Sequence, residues 1–285
     1  MLKNNNKKIN IPSIIYSIIM LLGIFIIFYP VLINYLNSKK TSEVITNYEN
    51  TVKHMSKEEK KELIEKARIY NDNLINDKVN PNYNFKEEYN NILNIDENGL
   101  MEYILIPKIK LNLPIYHTVS DEVLNKYIGH YTTSSFPVGG KGTNALLFGH
   151  RGLPSATLFT DLDQVKINDI FYTNILDKKY TYKVVDIKVV NPNDIKEIVI
   201  DKNKDQVTLI TCTPYAINTH RLIIVGERYK ISNKKLKEIK VRRRLSISEL
   251  ISLISGLLII VILLIYKIKK MRNNELNPKS WTVYK

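Results

Sequence analysis

The chain is 285 residues long and carries 42 basic against 28 acidic residues, a formal net charge of +14. That balance invites a nucleic-acid partner, but the Lys and Arg residues flank apolar segments or lie in Lys/Asn-rich stretches, where they can meet anionic lipid headgroups. No aromatic–basic recognition motif accompanies them, so no nucleic-acid binding is expected, and the single cysteine excludes an internal disulfide.

Residues 11–36 hold no charged side chain and are dense in Ile, Leu, Phe and Tyr, enough for the roughly 20 residues a helix needs to cross the hydrocarbon core. No small-x-small cleavage pattern follows, so the segment reads as an anchor, not a cleaved signal. Residues 250–266 form a second uncharged, nearly all-apolar run; Lys267, Lys269, Lys270 and Arg272 close it, and it reads as a second transmembrane helix. Lys3, Lys7 and Lys8 before the first span, with the basic cluster after the second, place both termini in the cytoplasm. Arg242, Arg243 and Arg244 disagree for the second helix, and the N-terminal anchor is the firmer guide. The expected plan is a cytoplasmic N-terminus (1–10), a span (11–36), a helical stalk and possible lid segment (37–99), a globular domain (100–230), a basic juxtamembrane linker (231–249), a span (250–266) and a basic cytoplasmic tail (267–285).

After the first span, Ser56 and Glu59 form a capping signature, and Leu63, Ile64, Ala67 and Ile69 continue it at helical spacing. Residues 71–94, rich in Asn, Asp and Tyr, read as a loop. From Leu100 the pattern turns to short β-rich runs at 101–106, 113–116, 144–148, 170–173, 180–190, 206–211 and 222–227, punctuated by Pro107, Pro137-Val138-Gly139-Gly140 and Asn191-Pro192-Asn193-Asp194. Such spacing indicates an all-β sandwich or barrel, with helical inserts expected at 122–128 and 157–165.

Cys212 ends the run Thr208-Leu209-Ile210-Thr211 and is followed by Thr213-Pro214-Tyr215. Proline has no N–H for the ladder, so the thiol sits at a strand terminus, where it can face a cleft. By itself a lone cysteine is more often a small buried hydrophobe. His150 leaves a similar run, Ala145-Leu146-Leu147-Phe148-Gly149, and a glycine-flanked imidazole there is placed for proton transfer. Arg221 opens the next strand; if the two strands pair, its guanidinium reaches the same barrel end as the thiol and can hold a carbonyl or oxyanion. Arg151 is a rival for that charge. His220 is a rival for the imidazole, though alternation points it to the face opposite Arg221. His54, His117 and His130 read as structural. Thr211 can orient a substrate carbonyl through its hydroxyl, while β propensity explains it equally well. Tyr215 and Asn218 shape the loop between Cys212 and Arg221 and, with Thr211, are candidate substrate-binding residues. No metal-ligand spacing occurs, no cofactor is implied, and Asp201 and Asp205 read as a solvated turn.

His150 in FGHRG, Cys212 in TLITC and Arg221 in NTHRL match the order and contexts of the sortase triad, and residues 100–229 with their flanking anchors resemble a sortase. The resemblance implies an eight-stranded β-barrel with short helices. It also implies a cysteine transpeptidase that cleaves an LPXTG-type sorting signal between Thr and Gly and passes the acyl group from a thioester to an amine. The strings CTPYxxNxHRL, FPVGG and HRGLP, with the C-terminal span, are most similar to class C sortases, which imply pilin partners and a pilin lysine as the amine. Many of those carry an Asp-Pro-aromatic lid motif. The nearest string here, Asn80-Pro81-Asn82-Tyr83, lacks the acidic residue. Two alternatives stay open: a sortase that anchors proteins to the peptidoglycan cross-bridge, and a membrane-anchored scaffold on a degenerate barrel.

Overall fold

A computed structural model describes residues 11–75, 84–198, 200–231 and 247–276. Two compact units emerge, residues 1–33 with 245–285 and residues 34–244. The Asn80–Tyr83 string and Arg242–Arg244 lie outside the described residues, as do the ends of the expected cytoplasmic tails.

The first unit is helical. Helix α1 runs Ile11–His54 with Pro30 inside it, and a last helix, α5, runs Ile247–Leu276. Only α1 among the described helices is long and apolar enough to cross a membrane by length and composition, while Leu250–Tyr266 within α5 is a shorter apolar stretch. A methyl at Gly256 would fall 2.4 Å from the Phe28 ring. The missing side chain therefore lets the two apolar helices approach, as small residues do between helices in lipid.

In the second unit the remainder of α1 continues without a break past residue 36, and Ile45, Tyr48 and Val52 form its buried stripe. The Tyr48 hydroxyl donates to the Met101 carbonyl at 3.1 Å and accepts from the Leu176 N–H at 2.7 Å. Helix α2, Lys57–Ile75, starts at the expected capping box: the Ser56 N–H donates to the Glu59 carboxylate at 2.7 Å and the Glu59 N–H to Ser56 Oγ at 3.1 Å. The loop expected at 71–94 is in part helical. α2 reaches Ile75, and a short helix α3 covers Phe85–Asn91, capped by Asn84. Composition misled here because Asn71 is not a solvent-seeking residue; its amide makes paired bonds to the Phe136 backbone, at 2.9 and 2.7 Å.

Eight strands follow: β1 Leu100–Ile106, β2 Leu111–His117, β3 Ile128–His130, β4 Thr143–Phe148, β5 Ile170–Ile175, β6 Lys178–Val190, β7 Asp205–Thr213 and β8 His220–Arg228. They close into a barrel in the order β1-β2-β3-β4-β7-β8-β6-β5, so no edge is left unpaired. Alternate residues such as Ile104, Leu147, Leu209 and Ile224 fill the interior. Of two expected helices, one is shortened and one is absent. Only Asp121–Leu124 (α4) is helical, and Ile128 instead opens β3, a strand made by pairing on both sides with β2 and β4. Its central residue must be glycine, since a Cβ at Gly129 would sit 2.4 Å from the Thr118 carbonyl oxygen. Residues 157–165 form tight turns with a single 3-10 turn at Leu162–Gln164, because the Phe159 N–H is drawn off to the His150 carbonyl at 3.1 Å.

One interior residue is at odds with its surroundings. Glu102, 1% exposed, lies on the same side of β1 as Ile104, and neither carboxyl oxygen has a hydrogen-bond partner. Burial pushes its pKa well above the usual carboxylate range. A raised folded-state pKa means ionisation favours the unfolded chain above the ordinary value. Glu102→Met is therefore expected to stabilise the protein by about 1–3 kcal/mol at pH 7.5. In urea titrations the gain should shrink as pH falls toward 4.5, and a loss of stability at pH 7.5 would contradict this.

Candidate functional site

The site lies where β4, β7 and β8 end together. β7 and β8 pair antiparallel with Cys212 and Arg221 as direct Cα partners. Partners in a strand pair share a face, so thiol and guanidinium project from the same side. β4 and β7 pair in parallel, up to Phe148 against Ile210. Beyond β4 the alignment is carried by side chains. Thr211 Oγ1 donates to the Gly149 carbonyl at 2.7 Å, and Arg151 Nη1 donates to Thr213 Oγ1 at 3.1 Å, each pair 62 residues apart in sequence. His150 and Cys212 are bracketed between these two bonds and lie side by side.

Alternation decides which way the three face. Leu147, Leu209 and Leu222 line the interior, whereas Leu146, Ile210 and Ile223 form a separate apolar patch on the outer face with Phe148, Val190, Ile198 and Val225 beside it. His150, Cys212 and Arg221 share the parity of that patch. All three are partly exposed. The Arg221 guanidinium donates to the Asn218 and His220 carbonyls at 3.2 and 3.1 Å, which turns it along the loop.

The other candidates divide. Thr211 is 2% exposed, and its hydroxyl donates to the Gly149 carbonyl, which ties β7 to the exit of β4. Tyr215 is 47% exposed on the loop, with its ring beneath Arg151. Asn218, at φ +61°, closes the loop by donating its N–H to the Pro214 carbonyl at 3.0 Å. Arg151 is buried and engaged, so it is no free rival to Arg221. His220 sits opposite Thr213, one residue out of phase with Arg221. Asp201 accepts from the Asn203 N–H at 2.9 Å, closing a turn. Among the described residues no three His, Cys, Asp or Glu side chains gather as metal ligands do.

The outer apolar patch is absent from the sequence reading. Its signal was present, since Leu146, Phe148 and Ile210 stand at even spacing from His150 and Cys212. Gly149 is equally constrained: a Cβ there would come within 2.7 Å of both Ile128 and Phe159. Gly149→Ala is expected to displace Phe159, whose N–H holds the His150 carbonyl, and to cost about 1–3 kcal/mol by overpacking. Thermal unfolding of the variant checks this; an unchanged midpoint would mean that the packing yields freely.

A closed barrel with cysteine, histidine and arginine on one outer edge defines a thiol-bearing barrel of a distinct class. A family model described as Sortase domain matches residues 104–229. The chain is 43% identical to sortase C1 of Streptococcus agalactiae, with a TM-score of 0.63 over 67% of this chain and 100% of that one. It therefore belongs to the sortase family. Sortase C of Clostridium perfringens, solved with the C-terminal cell wall sorting motif, is 40% identical with a TM-score of 0.60 over 67% of this chain and 100% of that one. A Streptococcus pneumoniae sortase C, described for its pilin substrate specificity, is 38% identical with a TM-score of 0.59 over 66% and 97%. Among curated relatives, sortase A of Bacillus anthracis is 32% identical over 141 residues, 50% of this chain. The match spans 65% of that relative's own length, just under two thirds.

Proposed function

We propose that this chain is a membrane-anchored cysteine transpeptidase of the class C type, which cleaves an LPXTG-type sorting signal between Thr and Gly and joins it to a pilin lysine. The observation that carries the reading is the register of Cys212 on Arg221, with His150 bracketed beside them. The thiolate attacks the threonine carbonyl carbon. The oxyanion that forms takes N–H bonds from Arg221, whose planar fork suits a directed contact. As the tetrahedral adduct collapses, the C–N bond breaks and the His150 imidazolium gives its proton to the leaving glycine amine. The threonine acyl group is left on Cys212 as a thioester. A lysine amine then attacks that thioester, His150 accepts its proton, and the thiolate departs as the isopeptide bond closes.

Two spans with both termini cytoplasmic would hold the barrel outside the cell, where membrane-borne pilins with sorting signals are met. The pilin substrate specificity of the Streptococcus pneumoniae sortase C favours the pilin acceptor over a cross-bridge amine. Intact-mass spectrometry of the full chain in detergent micelles, incubated with an LPXTG-type peptide, tests the chemistry. The expected result is an adduct equal to the peptide's N-terminal portion, discharged faster by a pilin-lysine peptide than by a cross-bridge amine. Discharge by the cross-bridge amine alone would overturn the pilin assignment, and the absence of any adduct would favour the scaffold.

A further inference from the structure

The geometry points to Arg151 as a positioning residue for the thiol–imidazole pair, an inference that rests on the transpeptidase reading of Cys212 and His150. Arg151 directly follows His150, and Thr213 directly follows Cys212. β4 ends at Phe148; the Gly149 N–H on the Ile210 carbonyl, at 3.2 Å, is the last backbone rung between β4 and β7 among the described residues, and the next one is missing. The bond from Arg151 Nη1 to Thr213 Oγ1, at 3.1 Å, takes the place of that rung. The other arm of the fork, Nη2, pairs with the Asp163 carboxylate in the turns that follow. The guanidinium carbon also lies 5.9 Å from the centroid of Tyr215, at the mouth of the Cys212–Arg221 loop. One buried cation, 9% exposed, thereby joins the His150 exit, the Cys212 exit and the Asp163 turn.

The chemistry of the fork makes this contact specific to arginine. A lysine would keep the charge but present a single nitrogen, which cannot meet Thr213 and Asp163 in two fixed directions. Without the bracket on its far side, His150 is held in place by Thr211 acting on Gly149 and by the Phe159 N–H on its own carbonyl. Small misplacement of a proton-transfer group is costly; about 1 Å is enough for a hundredfold loss. Asp163 has an exposed side chain and tunes the clamp from the solvent side.

The test compares wild type, Arg151→Lys and Asp163→Asn as full chains in detergent micelles. Two readouts are taken: kcat and KM for sorting-peptide cleavage, and the pH profile of Cys212 alkylation by iodoacetamide. With one cysteine in the chain, the alkylated mass reports on Cys212 alone. Arg151→Lys is expected to lower kcat by about tenfold to a hundredfold with KM little changed, and to displace the alkylation profile as His150 leaves the thiol. Asp163→Asn should move both in the same direction by less. A wild-type kcat and alkylation profile in Arg151→Lys would overturn the proposal, and so would a lowered melting temperature with the profile unmoved, since that is support of the fold alone. Wild type that turns over no sorting peptide would sink the transpeptidase reading, while the alkylation profiles would still decide the role of Arg151.

Discussion

Cys212→Ala is expected to bring acyl-enzyme formation and peptide cleavage to background, because no second thiol exists to replace it. Arg221→Ala should lower kcat by about 10²- to 10³-fold, the usual effect of losing one oxyanion donor. Arg221→Lys should recover little of it, since the guanidinium is aimed by the Asn218 and His220 carbonyls and a flexible ammonium is not. His150→Ala should fall close to Cys212→Ala, and the double variant should be no worse than the single one, as groups acting in one step are not additive. Single-turnover mass spectrometry reads all five. An Arg221→Ala chain acylated at the wild-type rate would remove the arginine from the mechanism.

Acid is expected to unfold the barrel domain through a histidine outside the site. His130 is fully buried against the Tyr89 and Phe136 rings. Its Nδ1 meets the Tyr89 hydroxyl and its Nε2 the Ser135 carbonyl, each at 2.9 Å. Burial pushes its pKa down to about 3. A depressed histidine pKa means the unfolded chain takes up a proton that the folded one refuses. Stability is therefore full above the ordinary value near 6.5 and is lost as pH falls toward 3, at about 1.4 kcal/mol per pH unit. His117 is also lowered by burial, but Asp96 lies near it and a backbone carbonyl stands at each ring nitrogen, so it contributes less. The raised Glu102 acts in the opposite sense above its ordinary value of 4.5, and so offsets part of the histidine slope at the neutral end of the window. His130→Gln isolates the histidine: between pH 7 and 5 the urea midpoint should fall more with acid in wild type than in the variant. Equal slopes would rule the imidazole out. The same contacts fasten α3 to the barrel, since Tyr89 is held by β3 through His130.

Much of the candidate site was legible because its chemistry sits at strand ends that local signals mark. Pro214 bounds the run ending at Cys212, Gly149 marks the exit before His150, and a short loop between two β-rich runs forced Cys212 and Arg221 toward one end. Seven of the strands carry enough Val, Ile, Leu, Tyr and Thr to announce themselves. Ile128–His130 does not. Three residues with a central glycine have no strand signature, and it is the contacts of β2 and β4 that make them a strand. The turns at 157–165 were hidden for a related reason, since their apolar spacing fits a helix and the bond from Phe159 to His150 breaks it.

By itself the sequence determined the class of fold, the order of the apolar and β-rich segments, and the identity of the one available thiol with its partners in basic and proton-transfer chemistry. Those follow from residue type and short-range spacing, which need no knowledge of distant contacts. Only the tertiary structure decided how the barrel closes, that His150 stands beside Cys212, that Thr211 donates to Gly149 and that Arg151 belongs to a clamp. The last three depend on contacts between segments 62 residues apart. Parallel register of that kind is fixed by side-chain alternation and packing across the sheet, which leave no local mark on either strand.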